Sequence, residues 1–342
     1  MPATKDARVV GKEGEAPPGD VSGAMMRTVE TMRARPARGA EGRRLGPAWS
    51  ALPVLLAGCG GGPQPAPPPA GAAEAQRAPA QTAAPLPPPP ARWSPPEGFR
   101  VIVPALGGET HPRVIGHMRT GVELLRVPAG SFVLGSAPED EGHSDDESPA
   151  REVALSAFYL ARTEVTLVQW KRGGGARGRG AGDDHPVVDV TWGDVDAWCR
   201  ANGLELPSEA QWAYAASGPE NRVFPWGARD EPFRTNALGT IGMDRWDDTA
   251  PVGSFPGGSA WCGAYDLAGN VAEWCADRFF PDYAGLPEGS DPVRLDGGTE
   301  ARVVRGGSFS CRPPFCLRTA YRDGIDAALS GANLGFRAAL KP

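Results

Sequence analysis

Apolar positions come in short runs rather than long periodic stretches. Two of them, Val122–Val127 and Phe132–Leu134, read as strands joined in a hairpin at Pro128-Ala-Gly130. Three capping boxes predict short helices: Thr166-x-x-Gln169, Thr191-x-x-Asp194 and Ser208-x-x-Gln211. In each, a hydroxyl accepts from the first free amides and a residue three positions on reaches back. The second helix passes through Asp196-Ala-Trp-Cys-Arg200 and stops near Asn202-Gly203, a good C-terminal signal. The third covers Glu209 to about Ala216 and ends before Gly218-Pro219. The chain between is rich in Gly, Pro, Asn and Asp, and so much irregular backbone needs side chains, buried Trp or ions to satisfy its amides. The pattern predicts an α+β domain of low regular secondary structure over residues 99–342.

Composition divides the rest. No apolar run reaches eighteen residues in the 342, which excludes a polytopic membrane protein. Six Arg between Arg27 and Arg44 precede an apolar stretch, Leu45–Ala57, and then Gly58-Cys59, the parts of a secretory signal. Leu56-Ala57-Gly58-Cys59 resembles a bacterial lipobox, so residues 1–58 are expected to be a signal segment and Cys59 the lipid attachment point in the cell envelope. Residues 59–98 follow as a Pro/Ala/Gly-rich linker that cannot bury enough apolar surface to offset its ordering entropy. Residues 1–58 hold nine basic and six acidic residues, so the remainder carries −9 against −6 for the whole chain. The membrane is then met through the lipid only, not by attraction to anionic headgroups.

The acidic balance and the lack of a G-x-x-x-x-G-K-[ST] loop disfavour nucleic acid and P-loop chemistry. Gly173–Gly182, an RGG-like run, reads as a surface insertion, and the acidic run Glu139–Glu147 with His143 as a solvated loop. Four His leave little room for a multi-histidine centre, and six Cys are too few for a disulfide scaffold. Cys262 and Cys275 either bond each other or stay as buried thiols, and Cys199 reads as a small buried residue.

Nine motifs stand in series: Phe132-Val-Leu-Gly-Ser136, Glu164-Val-Thr166, His185–Trp192, Leu204–Trp212, Phe224-Pro-Trp-Gly227, Thr249-Ala-Pro-Val252, Tyr265–Trp274, Arg305-Gly-Gly-Ser308 and Asn333-Leu-Gly-Phe-Arg337. The series resembles the formylglycine-generating enzyme (sulfatase-modifying factor) family over roughly residues 120–340. The resemblance implies a compact α+β fold related to C-type lectins, braced by calcium. By resemblance, one calcium loop combines Asn236 and Ala237 with Asp244 and Trp246, and the other is Gly269, Asn270, Val271 and Glu273. Such sites suit calcium because it takes several oxygens from irregular backbone.

The same resemblance places two active cysteines three and eight positions after Ser308, which here are Cys311 and Cys316. Two nearby thiolates make a soft site that suits Cu(I). The implied activity is copper- and O2-dependent oxidation of a cysteine in a protein or peptide substrate, a C-x-[PA]-x-R segment, to formylglycine. Ser308 would position substrate or oxygen and Trp274 would wall the pocket. The other reading of Cys311 and Cys316 is a structural disulfide closing a small loop. The chain departs from the family pattern in Arg312 and Pro313-Pro314 between those cysteines, and in Ala338 and Ala216 where half-cystines would stand. The two function classes are thus a monomeric envelope oxidase and a non-catalytic binding or scaffolding module of the same fold, with a regulator of envelope enzymes third. No His-x-x-x-His-x-Glu iron helix occurs.

Overall fold

The computed structural model describes residues 93–342 except 230, 232, 239–245 and 312–314; the signal segment, Cys59 and most of the linker lie outside the described residues. Fourteen elements follow one another: β1 (Phe99–Val103), β2 (Val114–His117), β3 (Glu123–Val127), β4 (Gly130–Leu134), β5 (Arg151–Leu155), β6 (Phe158–Ala161), α1 (Leu167–Arg172), α2 (Trp192–Ala201), α3 (Glu209–Ser217), β7 (Ala272–Arg278), β8 (Ala301–Arg305), β9 (Arg322–Asp326), β10 (Leu334–Gly335) and β11 (Ala339–Leu340). They build a five-stranded sheet in the order β1-β2-β3-β6-β11, a four-stranded sheet β10-β7-β8-β9 and the pair β4-β5. This is the α+β class with little regular structure. Among the described residues no helix is long and apolar enough to cross a membrane.

The three helices begin at the predicted caps. Thr166, Thr191 and Ser208 each accept from the backbone three residues on, and Gln169, Asp194 and Gln211 return the bond. All nine residues of α3 are buried, which explains its Ala-rich sequence.

The predicted hairpin differs. Val122–Val127 and Phe132–Leu134 do not pair with each other, because β3 already lies between β2 and β6. Instead, β3 and β4 form one bent arm that pairs with β5 and β6 in a single unbroken register, from Leu124 opposite Ala161 to Leu134 opposite Arg151. Pro128 and Gly130 mark the bend between two sheets rather than a turn, and the true turn is the long loop 135–150 that carries the acidic run. Gly173–Gly182 is also more than a surface insertion. A Cβ on Gly175 would run into the Trp170 ring, so the glycine admits close backbone approach to a buried Trp.

Two buried ion-pair networks hold the irregular segments. Arg337 forks onto Glu273 with Nε to Oε2 and Nη2 to Oε1, both at 2.6 Å, and both side chains are 0% exposed. Trp212 Nε1 donates to the same Oε2 at 2.7 Å. Arg337 also donates to the carbonyls of Ala161 and Tyr265, so one guanidinium joins β6, β7 and the loop before β7. In the second network Glu209 receives Arg322 Nε at 2.7 Å and the Tyr283 hydroxyl at 2.7 Å, with Arg305 Nε at 3.4 Å. Burial, and then the neighbouring Glu209 charge, push the Asp277 carboxyl beside it up to about 7.

Near Arg337 the carboxylates outnumber the cations. Glu164, 0% exposed, accepts from Asn270 through Oε1, and the Asp266 carboxyl shares a hydrogen bond with it. Burial, then the Asp266 and Glu273 charges, push its carboxyl well above the ordinary 4.5. Its contribution to stability is full below that unfolded value and is lost as pH rises through the raised folded one, because the folded state binds the extra proton. Glu164→Gln keeps the acceptor and removes the charge. It should gain about 1–2 kcal/mol over the parent at pH 8 and little at pH 5, read by urea unfolding at both pH values. Arg337→Met should lose about 3–5 kcal/mol in the same assay, because it strands the Glu273 charge in the core.

Candidate active site

β8 ends at Arg305, a fully buried side chain whose Nη1 donates to the carbonyls of Thr319, Ala320 and Tyr321. One guanidinium therefore fixes the departure and the return of the loop between β8 and β9. The chain then turns through Gly306 and Gly307, both with positive φ (90° and 64°). A Cβ on Gly307 would lie 2.5 Å from the Cys316 carbonyl and 3.3 Å from Cys311 Sγ, so glycine is required for the loop to fold back on itself. The outgoing limb docks on the Tyr265–Asn270 turn, with Gly269 N donating to Gly306 O at 2.7 Å and Phe309 N to Asn270 O at 2.8 Å.

This fold-back brings Ser308, Cys311 and Cys316 together. The cysteines form a disulfide with Cα atoms 6.3 Å apart, so in this structure the pair is oxidised and presents no thiolate. Phe224, Ala237, Ala268 and Leu317 pack around it, with Trp226 and Tyr321 at the edge. Ser308 Oγ lies 3.0 Å from Ser310 Oγ, and the Asn333 amide donates to both hydroxyls at 3.3 and 3.0 Å. The sequence reading missed Asn333 as a site residue, although it opens the motif that ends at Arg337.

Trp274 does not wall this site. It is 0% exposed, its Nε1 donates to the Val190 carbonyl at 3.1 Å, and it packs in the core cluster that includes Val187, Val190 and Phe336. Its partners come from the segment before α2, from β8 and from the residues around β10 rather than from the cysteine loop, because alternate residues of β7 face opposite sides.

The second predicted calcium loop does not fit calcium as its donors are placed. Both Glu273 oxygens accept from Arg337, and one also from Trp212. Asn270 Oδ1 accepts from Ala250 N at 2.9 Å and its amide donates to Glu164. Gly269 packs against Thr235 and the Asn236 carbonyl, and Val271 is 0% exposed. In the first loop, the Asn236 carbonyl accepts from Asn270 N and its amide donates to Asp248 O at 2.8 Å. Ala237 is buried, Trp246 stands edge-on to His185, and Asp244 lies outside the described residues. Among the described residues no three Asp, Glu, His or Cys side chains are arranged to hold a metal ion. The guanidinium of Arg337 occupies the carboxylate that the resemblance assigned to calcium.

Two free thiols settle the other cysteine pair. Cys262 and Cys275 are not bonded to each other; Cys262 Sγ donates to the Ala215 carbonyl at 3.4 Å and Cys275 is buried, as is Cys199. Burial pushes the thiols of all three up, so they are poor nucleophiles.

Beside the disulfide loop lies a cavity of about 650 Å³. Phe132 and Phe224 line its apolar part, Ser136 and Glu141 of loop 135–150 one side, and Phe315 and Arg318 the side of the disulfide loop. That volume is in the range of pockets that hold small ligands or a short peptide segment.

Residues 116–342 match the family model described as sulfatase-modifying factor enzyme 1-like domain. The formylglycine-generating enzyme of Streptomyces coelicolor is 30% identical over 304 residues, covering 70% of this chain and 96% of that protein. A mouse protein described as inactive Cα-formylglycine-generating enzyme 2 is 33% identical, covering 67% of this chain and 89% of its own. Among solved structures, PvdO from Pseudomonas aeruginosa superposes with a TM-score of 0.60 at 27% identity, covering 67% of this chain and 98% of that one. With the matched residues spanning both the core and the cysteine loop, the chain belongs to the sulfatase-modifying factor, or formylglycine-generating enzyme, family.

Proposed function

We propose that this protein oxidises a cysteine of a protein substrate to formylglycine, with Cys311, Cys316 and Ser308 as the working residues. The observation that carries the reading is the fold-back at Gly306-Gly307, which packs Gly307 against Cys311 and the Cys316 carbonyl, pairs the two sulfurs, and lets Cys311 N donate to the Ser308 carbonyl at 2.9 Å. Family membership and the similarity to the Streptomyces enzyme support it.

After reduction, Cys311 and Cys316 would offer two sulfur donors on one short loop, a set that fits Cu(I) better than a hard cation. Copper bound there would supply one-electron chemistry with O2. The chain's own residues do the rest. Asn333 donates to Ser308 Oγ and so directs that hydroxyl's proton. The cavity lined by Phe224 and Phe315 seats the substrate segment beside the disulfide loop, and Trp226 and Tyr321 pack at the edge of the cluster that holds the cysteines. By balance, converting the substrate's thiol-bearing methylene to an aldehyde with one O2 releases hydrogen sulfide and water and draws two further electrons from an external thiol pair. Reduction of the disulfide is therefore the first requirement.

A relative described as inactive, together with a cavity that none of the proposed working residues lines, favours one second reading: a binding module that holds a peptide in the same cavity. One experiment separates them. The full chain, reduced and given Cu(I) and O2, is incubated with a C-x-P-x-R peptide, and the aldehyde is followed by mass spectrometry. Turnover should fall at least about 100-fold in Cys311→Ser and in Cys316→Ser, the loss expected when a catalytic group is removed. It should persist in Cys199→Ser. Peptide binding without aldehyde in the parent chain would leave only the binding module.

We also infer attachment to the cell envelope through Cys59, from the lipobox-like Leu56-Ala57-Gly58-Cys59 and the linker after it. In a bacterial host, labelled palmitate should enter the full chain and should be lost in Cys59→Ala; equal labelling of both would overturn the anchor.

A further inference from the structure

Arg318 lies two residues beyond Cys316, yet its side chain reaches to the opposite wall of the cavity. Its Nη1 donates to Glu147 Oε2 at 2.9 Å and its Nη2 to Glu147 Oε1 at 2.5 Å, with side chains only 6% and 0% exposed. Nη2 also reaches the Gly142 carbonyl. Glu147 is fixed from its own side by the Ser136 hydroxyl, which donates to Oε2 at 2.5 Å. His143 lies 2.7 Å from the same hydroxyl through Nδ1. Because the Ser136 proton goes to Glu147, His143 must donate there, so Ser136 is not an activated nucleophile. The contact surface is closed as well: a Cβ on Gly142 would run into the Phe315 ring.

The returning limb of the cysteine loop is therefore tied in three directions. Arg305 holds the carbonyls of residues 319–321, Thr319 bonds to Arg222 and Val223, and Arg318 ties the limb to loop 135–150. The outgoing limb is tied separately, through Phe309 to Asn270. A disulfide across two limbs is favoured in proportion to how closely the limbs stay aligned when its sulfurs are reduced, that is, to the effective concentration of one thiol at the other.

We propose that Arg318 and Glu147 are positioning residues that set the equilibrium between the Cys311–Cys316 disulfide and its dithiol by holding the Cys316 limb against loop 135–150. The exchange consumes two glutathione thiols and yields one glutathione disulfide and the protein dithiol. This deepens the redox reading of the site, but its readout is the thiol–disulfide ratio, which does not depend on turnover or copper.

The full chain is equilibrated in graded mixtures of reduced and oxidised glutathione, trapped by alkylation, and the Cys311–Cys316 fraction is read by mass spectrometry. Glu147→Gln and Arg318→Met should each lower the oxidised-to-reduced constant about tenfold, equal to about 30 mV for a two-electron couple. Arg318→Lys, which keeps the charge without the fork, should recover part of that shift. Leu124→Ala, in the buried strand β3 away from the loop, serves as a generally destabilised control and should stay within about twofold of the parent. An unchanged constant in folded Glu147→Gln, or an equal shift in Leu124→Ala, would overturn the assignment. Should Arg318→Met not fold, the near-isosteric Glu147→Gln carries the test. A protein that shows the shift but forms no formylglycine would keep this proposal and lose the catalytic one.

Discussion

Buried guanidinium groups are what the rest of this fold depends on. With loops making up much of the domain, helices and sheets alone cannot satisfy the backbone carbonyls, and unpaired buried carbonyls are costly. Arg305 and Arg337 meet that need. Each pairs with a buried carboxylate and directs its remaining N–H groups at backbone oxygens, three from the segment after the cysteine loop for Arg305 and two from β6 and the loop before β7 for Arg337. A guanidinium suits this work because it stays charged and offers five donors in a fixed plane. The cysteine loop inherits its geometry from one of these groups directly.

Much of this was legible in the chain, in unequal measure. Helix starts could be read because a capping box is a local contact between residues three apart. The cysteine pair came from the family resemblance, which sets two cysteines three and eight positions after Ser308, and the structure brings those two together. The hairpin could not. A run of alternating apolar residues states which face is buried but not which strand lies beside it, and the Pro128–Gly130 segment bends an arm as readily as it turns one. Trp274 and Glu273 were misread for a related reason. Their motif is contiguous, but β7 sends alternate side chains to opposite faces, and the residues that meet them, Val190 and Arg337, are distant in sequence. Asn333, Glu164 and Asp266 were visible as motif members, yet their roles follow from contacts that no spacing announces.

The cysteine site combines rigidity and contingency. Both limbs that carry its sulfurs are held by hydrogen bonds, the outgoing one to Asn270 and the returning one to Arg305 and Val223. Its chemistry nevertheless turns on a bond that external thiols can break. The three free thiols, by contrast, are held protonated by desolvation, which makes them poor nucleophiles. Among the five described cysteines it is the presence of a partner sulfur that sets Cys311 and Cys316 apart.

The bent arm has one further consequence. Because β3–β4 and β5–β6 keep one register to the last pair, Leu134 with Arg151, the sixteen residues between them leave the arm as a single tip. Between Ala137 and Glu141 the tip can lengthen or change its charges without shifting any strand beneath it, since loop length costs little once its ends are pinned, whereas Ser136, Gly142, His143 and Glu147 are fixed by their contacts with one another and with Arg318 and Phe315. The outer part of that cavity wall can therefore vary while its base stays fastened to the limb that carries Cys316.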